Sequence, residues 1–230
     1  MRIRPILFNG DMVRAILDGR KTCTRRVVKT RSKDACGFYV TKKADGSVTG
    51  VYEYDEDERM LEYPLMPPYQ PGDILYVRET VWRETGYYVD INGEIIITWH
   101  NKFRYVASDK KTEPWGTCSW IKCPSIHMPK EAARIWLRVT DVRVERLQDI
   151  TPKDAKNEGV GDLFYDDIGY SDKDYGTEVD PEYGVAKEQF AWLWDSTIKK
   201  AALDCYGWDA NPWVWVIEFE RCEKPEESEK

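Results

Sequence analysis

Apolar residues along the chain fall mostly in short runs of period two, with few stretches at helical spacing. Arg2–Phe8 is predicted as a strand. Asn9 or Asp11 can cap a helix whose Met12, Val13, Ile16 and Leu17 share one face, and Gly19 supplies its left-handed stop. Gly19–Arg26 is then expected to be a loop leading into Val27-Val28. Phe38–Tyr54 has the pattern of a hairpin turning at Asp45-Gly46. A proline-rich connector, Pro64–Pro71, leads to a strand over Ile74–Val81. Tyr87–Trp99 is a second hairpin, turning at Asn92-Gly93, and Phe103–Ala107 adds a further strand. Ala133–Leu147 alternates, but the step of three from Val139 to Val142 breaks the period, as a bulge or barrel corner would. Thr151-Pro152 opens a short helix that Gly159 closes. Phe190, Leu193, Trp194 and Ile198 mark another helix, and Trp213–Phe219 is a buried closing strand. Many strands with few short helices predict an α+β chain built on a small, partly open β-barrel with flanking helices.

The length of 230 residues allows a substantial core, and ten Trp, fourteen Tyr and six Phe supply large side chains to fill it. Such a composition excludes disorder for the bulk of the chain. No apolar run approaches the roughly 20 residues of a membrane span. Asp11, Arg14 and Asp18 interrupt the N-terminal apolar stretches, so a secretory signal is not expected and a cytoplasmic protein is. Six cysteines and two distant histidines lack the paired spacing of a zinc site, so reduced thiols, no metal and no cofactor are expected. The net charge of −7 is unevenly spread. Residues 1–33 carry +8, leaving −15 on the other 197. That balance suits the holding of one anionic group better than the coating of a long nucleic acid.

Arg20, Lys21, Arg25 and Arg26 crowd one short segment. Cationic neighbours disfavour a protonated lysine, so Lys21 is a candidate base and Thr24 a hydroxyl it could activate. Glu158 stands in the last turn of the helix that Gly159 ends, where the helix dipole opposes its charge and suits it to proton donation. Strand alternation sets Arg78 on the face of Tyr76 and Glu79 on that of Leu75 and Val77. A carboxylate among apolar residues needs a partner such as Arg26, and both a structural ion pair and a ligand-gripping carboxylate fit that requirement. His127, in the Ser125–Pro129 segment, is a candidate for contact with a base or phosphate. Trp82, Trp115 and Trp120 are candidates for stacking.

At these residues the chain resembles the ASCH superfamily, whose domains have a PUA-like β-barrel and are linked to RNA or modified nucleotides. The resemblance rests on Gly19, Lys21, Thr24 and Arg26 of the Gly-x-Lys-x-x-(Glu or Thr)-x-Arg signature. Gly19–Arg26 also meets every specified position of the Gly-Arg-Lys-Thr-x-Thr-x-Arg form found in bacterial 4-acetylcytidine amidohydrolases, and Ile150–Glu158 resembles the stretch that holds their glutamate. The resemblance implies Lys21 as proton acceptor, Thr24 as nucleophile and Glu158 as proton donor. Arg20, Arg25, Arg26, Arg78, Glu79, Trp82 and His127 would then bind the substrate. It covers roughly 1–30, 70–82, 133–160 and 210–221. A single domain over 1–221 is expected, with insertions at about 31–69, 83–132 and 161–209 and a polar tail at 222–230. The whole chain looks closer still to larger ASCH-like proteins of phages and prophages. Three functions stand open at this point: an amidohydrolase acting on an acylated base, a module that binds RNA or a modified nucleotide without turnover, and a metal-independent ribonuclease. The expected partner is a nucleoside, a nucleotide or a short single-stranded RNA.

Overall fold

The computed structural model describes residues 1–32, 35–45, 48–108, 119–160 and 181–226. It is α+β, with strands in three sheets and few, mostly short, helices. Its contacts divide into two units, each assembled from separated stretches of chain. The first comprises Met1–Lys21, Gly72–Arg138 and Glu220–Lys230, the second Thr22–Pro71 and Val139–Phe219. Among the described residues no helix is long and apolar enough to cross a membrane.

In the first unit, β1 (Ile3–Leu7) runs parallel to β6 (Ile74–Arg78), and the start of β10 (Trp136–Arg146) pairs antiparallel with the other edge of β6. Helix α1 (Gly10–Leu17) begins as its sequence predicts, with the Asn9 side chain accepting from the Met12 N–H at 2.9 Å. It buries Val13, Ala15 and Ile16. Gly19, at φ +78°, closes it in a Schellman arrangement: Gly19 N donates to Ile16 O at 3.1 Å and Arg20 N to Ala15 O at 2.9 Å. The strand expected over Ile74–Val81 is two strands, because pairing in the first sheet ends at Arg78 and β7 (Val81–Val89) belongs to another sheet. That sheet has the order β8-β7-β9, with β8 at Ile95–Tyr105 and β9 at Ser119–Cys123. Phe103–Ala107 is no separate strand, since its first residues end β8 beyond an irregularity opposite Arg83–Thr85. Val81, Phe103, Tyr105 and Cys123 pack on Met128 and Ala132.

The second unit corrects the expected loop at 19–26. Residues Cys23–Val27 form β2, antiparallel to β11 (Trp213–Cys222), with Thr24 opposite Ile217 and Arg25 opposite Val216. The charged run Arg25-Arg26 disguises a strand whose pairing partner lies nearly 200 residues away. In this unit the strand order is β10-β11-β2. Val139 and Val144 are both buried while Thr140 and Asp141 are both exposed, so the alternation changes phase where the sequence predicts a break. The hairpin of β3 (Gly37–Lys42) and β4 (Val48–Tyr54) forms as expected, although Gly46 lies outside the described residues. It gains a third strand, β5 (Met60–Pro64). Helices α2 (Pro152–Asn157) and α3 (Pro181–Thr197) match the two predicted, and a single turn, α4 (Leu203–Tyr206), follows. One apolar cluster joins Ile150, Ala155, Phe190, Trp194 and Val216, and another joins Val28, Val51, Leu65 and Val144. Most of the expected insertion at about 161–209, residues 161–180, lies outside the described residues.

Candidate functional site

The segment from Gly19 to Arg26 leaves α1, ends the first unit at Lys21 and enters the second as β2. Lys21 is buried, with Nζ 5.5 Å from the centroid of the Phe8 ring. Its backbone N–H donates to Ala15 O at 3.0 Å, so the same carbonyl that closes α1 also fixes this residue. Arg20 is half-buried, and its guanidinium meets Asp18 at 3.1 Å. The next residue along the chain, Thr22, donates from its backbone to Asn157 O at 2.8 Å, and Phe219 N donates to Thr22 O at 2.9 Å. The entry to β2 is therefore stitched to β11 and to the end of the helix that precedes Glu158.

Thr24, Arg25 and Glu158 are all buried. The Arg25 side chain has no exposed surface, and its guanidinium lies 2.6 Å from Glu145 and 3.2 Å from Glu158. Asp154 is 4.0 Å away, and the Phe190 ring centroid 5.7 Å. Burial alone would lower the Arg25 pKa, but Glu158, Cys23 and Glu145 more than offset this and raise it. In this arrangement the Arg25 guanidinium is held by carboxylates of its own unit. Strand alternation directs Thr24 and Arg26 to the face opposite Arg25. Burial pushes the Arg26 guanidinium below its ordinary pKa, while Glu158 and Tyr69 oppose that push. Glu158 thus answers arginines from both faces of β2, and Thr24 directly precedes them in sequence.

Glu158 occupies the position expected for it, the C-cap of α2, with Gly159 following at φ +89°. Thr151 starts that helix, its hydroxyl accepting from the Asp154 N–H at 3.1 Å. The sequence reading missed the carboxylates that surround Arg25. It also missed Arg143, which bonds Glu218 and lies 3.3 Å from Glu145. Burial opposes the charge of Arg143, yet Glu218 and Glu145 raise its pKa. A signal was present: Glu218 interrupts an otherwise apolar closing strand, and such a carboxylate requires a partner.

The remaining candidates belong to the first unit. Glu79 is buried, and its partner is Arg134, which grips both carboxylate oxygens at 2.8 and 2.9 Å. Arg26 was the expected partner. Arg134 takes that place because the chain entering β10 pairs beside β6, a register set far along the sequence. The Tyr105 ring covers the Arg134 guanidinium at 3.9 Å. Arg78 donates to Met128 O at 2.8 Å. Trp82 is half-buried between Arg104 on β8 and Lys122 on β9, and His127 is exposed in a single 3-10 turn. Trp115 lies outside the described residues. Among the described residues no cluster of His, Cys, Asp and Glu could hold a metal ion, and the five described cysteines form no disulfide.

No family model, curated protein or solved structure matches this chain. Its residues alone must carry the functional argument.

Proposed function

We propose that this is an ASCH-like protein of PUA-like barrel fold that recognises a modified nucleoside or RNA and removes an acyl group from a base such as 4-acetylcytidine. The observation that carries this reading is the buried Glu158 beside β2, interacting with Arg25 and Arg26, the two arginines that follow Thr24 in the Gly19–Arg26 signature. Thr24 Oγ attacks the amide carbonyl carbon while Lys21 accepts its proton. Arg26, or backbone amides of the 19–26 segment, holds the oxyanion. The C–N bond then breaks, Glu158 protonates the departing amine, and water cleaves the acyl-threonine ester to release the acid and restore the hydroxyl.

The test is incubation of wild type, Lys21→Ala and Thr24→Ala with 4-acetylcytidine, followed by chromatography. Wild type should release cytidine. Lys21→Ala should be slower by about 10²–10⁴-fold, and Thr24→Ala should release none. A folded wild type that releases no cytidine rejects this substrate. The second reading, a module that binds without turnover, draws on the same ion pair, because Arg25 already engages a Glu158 oxygen at 3.2 Å. It predicts nucleotide binding that survives Thr24→Ala. Metal-independent cleavage of single-stranded RNA by Thr24→Ala would instead indicate a ribonuclease.

A further inference from the structure

Near the root of its hairpin the β8-β7-β9 sheet has two unlike faces. On one, Val81, Phe103, Tyr105 and Cys123 pack on Met128 and Ala132. Paired residues of an antiparallel ladder share a face. The register therefore gathers on the other face Trp82, opposite Arg104 on β8 and Lys122 on β9, and Glu84, opposite Trp120. The contacts agree: the Arg104 guanidinium reaches across β7 and lies 4.7 Å from the centroid of the Trp120 ring. Both indoles are half-buried, and Arg104 and Lys122 are exposed.

This face is positive where its rings are. The buried carboxylate of Glu84 is answered on the same face, by Lys102 at 3.2 Å and His100 Nδ1 at 3.0 Å. Among the described residues neither Arg104 nor Lys122 forms an ion pair. Asp90 and Glu94 share the face, but Asp90 is eight residues beyond Trp82 along the hairpin. That is about 26 Å of strand, more than two Debye lengths at physiological salt. A guanidinium laid on an indole keeps its outer plane and N–H edge free, so Arg104 on Trp120 offers a stacking surface and an anion donor together. Rings placed diagonally on neighbouring strands stand about 7–8 Å apart, and two cations flanking a central strand about 10 Å apart. Planar surfaces interleaved with cations at that spacing suit successive unpaired bases and their phosphates. An acidic peptide would use the cations and leave the indoles idle, and a duplex hides its base planes. The net charge of −7 limits the contact to a few nucleotides.

We propose that this face binds a short stretch of single-stranded RNA, with two successive bases stacked on Trp82 and on the Arg104–Trp120 pair and their phosphates held by Arg104 and Lys122. The choice of RNA over DNA rests on the function proposed above. The stacking and the charge do not, since Lys21, Thr24 and Glu158 take no part in them.

Fluorescence anisotropy of a labelled decauridylate at several salt concentrations tests it, on wild type, Arg104→Ala, Lys122→Ala and Trp120→Thr. Loss of either cation should bring the slope of log K against log [salt] about 0.7 closer to zero. Trp120→Thr should raise the dissociation constant about tenfold with the slope unchanged. Both cations are exposed, so their removal tests the face even if Trp120→Thr alters the circular dichroism spectrum. A wild type that does not bind decauridylate, or cation variants with the wild-type affinity and slope, overturns the platform. So does poly-glutamate that displaces the probe as readily as unlabelled decauridylate, because the rings would then contribute nothing. Decathymidylate bound more tightly than decauridylate overturns the choice of RNA. Release of cytidine from free 4-acetylcytidine, measured alongside, should be the same in all four proteins. A wild type that binds the strand yet releases no cytidine supports the platform and rejects only the deacylation.

Discussion

A guanidinium without exposed surface stays in place only when its neighbours return its charge, and Arg25 meets that condition through Glu145 and Glu158. Removing it takes a buried cation from two carboxylates, of which Glu145 keeps Arg143 at 3.3 Å. Arg25→Ala is therefore expected to cost about 3–5 kcal/mol, read from urea denaturation midpoints. The double variant Arg25→Met/Glu158→Gln should recover part of that loss, because it removes charge from both sides of the pair. A loss below about 1 kcal/mol for Arg25→Ala would mean that water or rearrangement replaces the pair. The contrast with Lys21 and Thr24 shows what was legible at this scale. The sequence identifies which residue types crowd together between Gly19 and Arg26, and burial agrees that several of them face inward. It did not reveal that Arg25 would be consumed by Glu145 and Glu158, because those partners lie 120 and 133 positions away. Glu79 repeats the lesson: its need for an arginine was legible, and the choice of Arg134 was not.

Helix α2 holds only six residues, too few to be stable alone, so its cap and its packing decide whether it forms. Thr151 caps it, Ala155 anchors it in the apolar cluster of the second unit, and its last residue, Asn157, accepts from the backbone of Thr22. The cap thus acts on the position of Glu158. Thr151→Ala should cost about 1 kcal/mol and raise amide exchange selectively over 152–158, with Thr151→Ser close to wild type. Uniform acceleration across the second unit would instead show that the cap is coupled to the whole unit. At this scale the sequence was most informative where signals are local. Asn9, Gly19, Thr151-Pro152 and Gly159 all mark real helix ends. It failed at β2, where propensity suggests a loop and pairing with β11 overrides it, and at β5, where Pro64 at the strand end masks the extended run.

On the scale of the whole molecule, the chain passes between its two units four times, at 21/22, 71/72, 138/139 and 219/220. Periodicity carries no record of such crossings, because β1 pairs with β6 and β2 with β11, strands distant in sequence. The consequence for folding differs between the parts. The cluster beneath the β8-β7-β9 sheet draws Val81, Phe103, Tyr105, Met128 and Ala132 from one continuous stretch. The cluster of Val28, Val51 and Leu65 instead depends on Val144, Trp213 and Trp215, which the chain supplies only later. A fragment of residues 1–138 keeps every member of the first cluster and loses those three from the second. Hydrogen exchange on that fragment should show slowed amides in β7, β8 and β9, while 22–71 exchanges at the rate of unfolded chain. Comparable protection of 22–71 in the fragment and in the full chain would mean that the β3–β4–β5 sheet holds itself together, and that the late-arriving aromatic residues only cover it. Three strands with one apolar face stand at the margin of independent stability. Val28, Val51 and Leu65, with half-buried Phe38 and Val40, offer a single aromatic ring to close that face, and the weight therefore falls on Trp213 and Trp215.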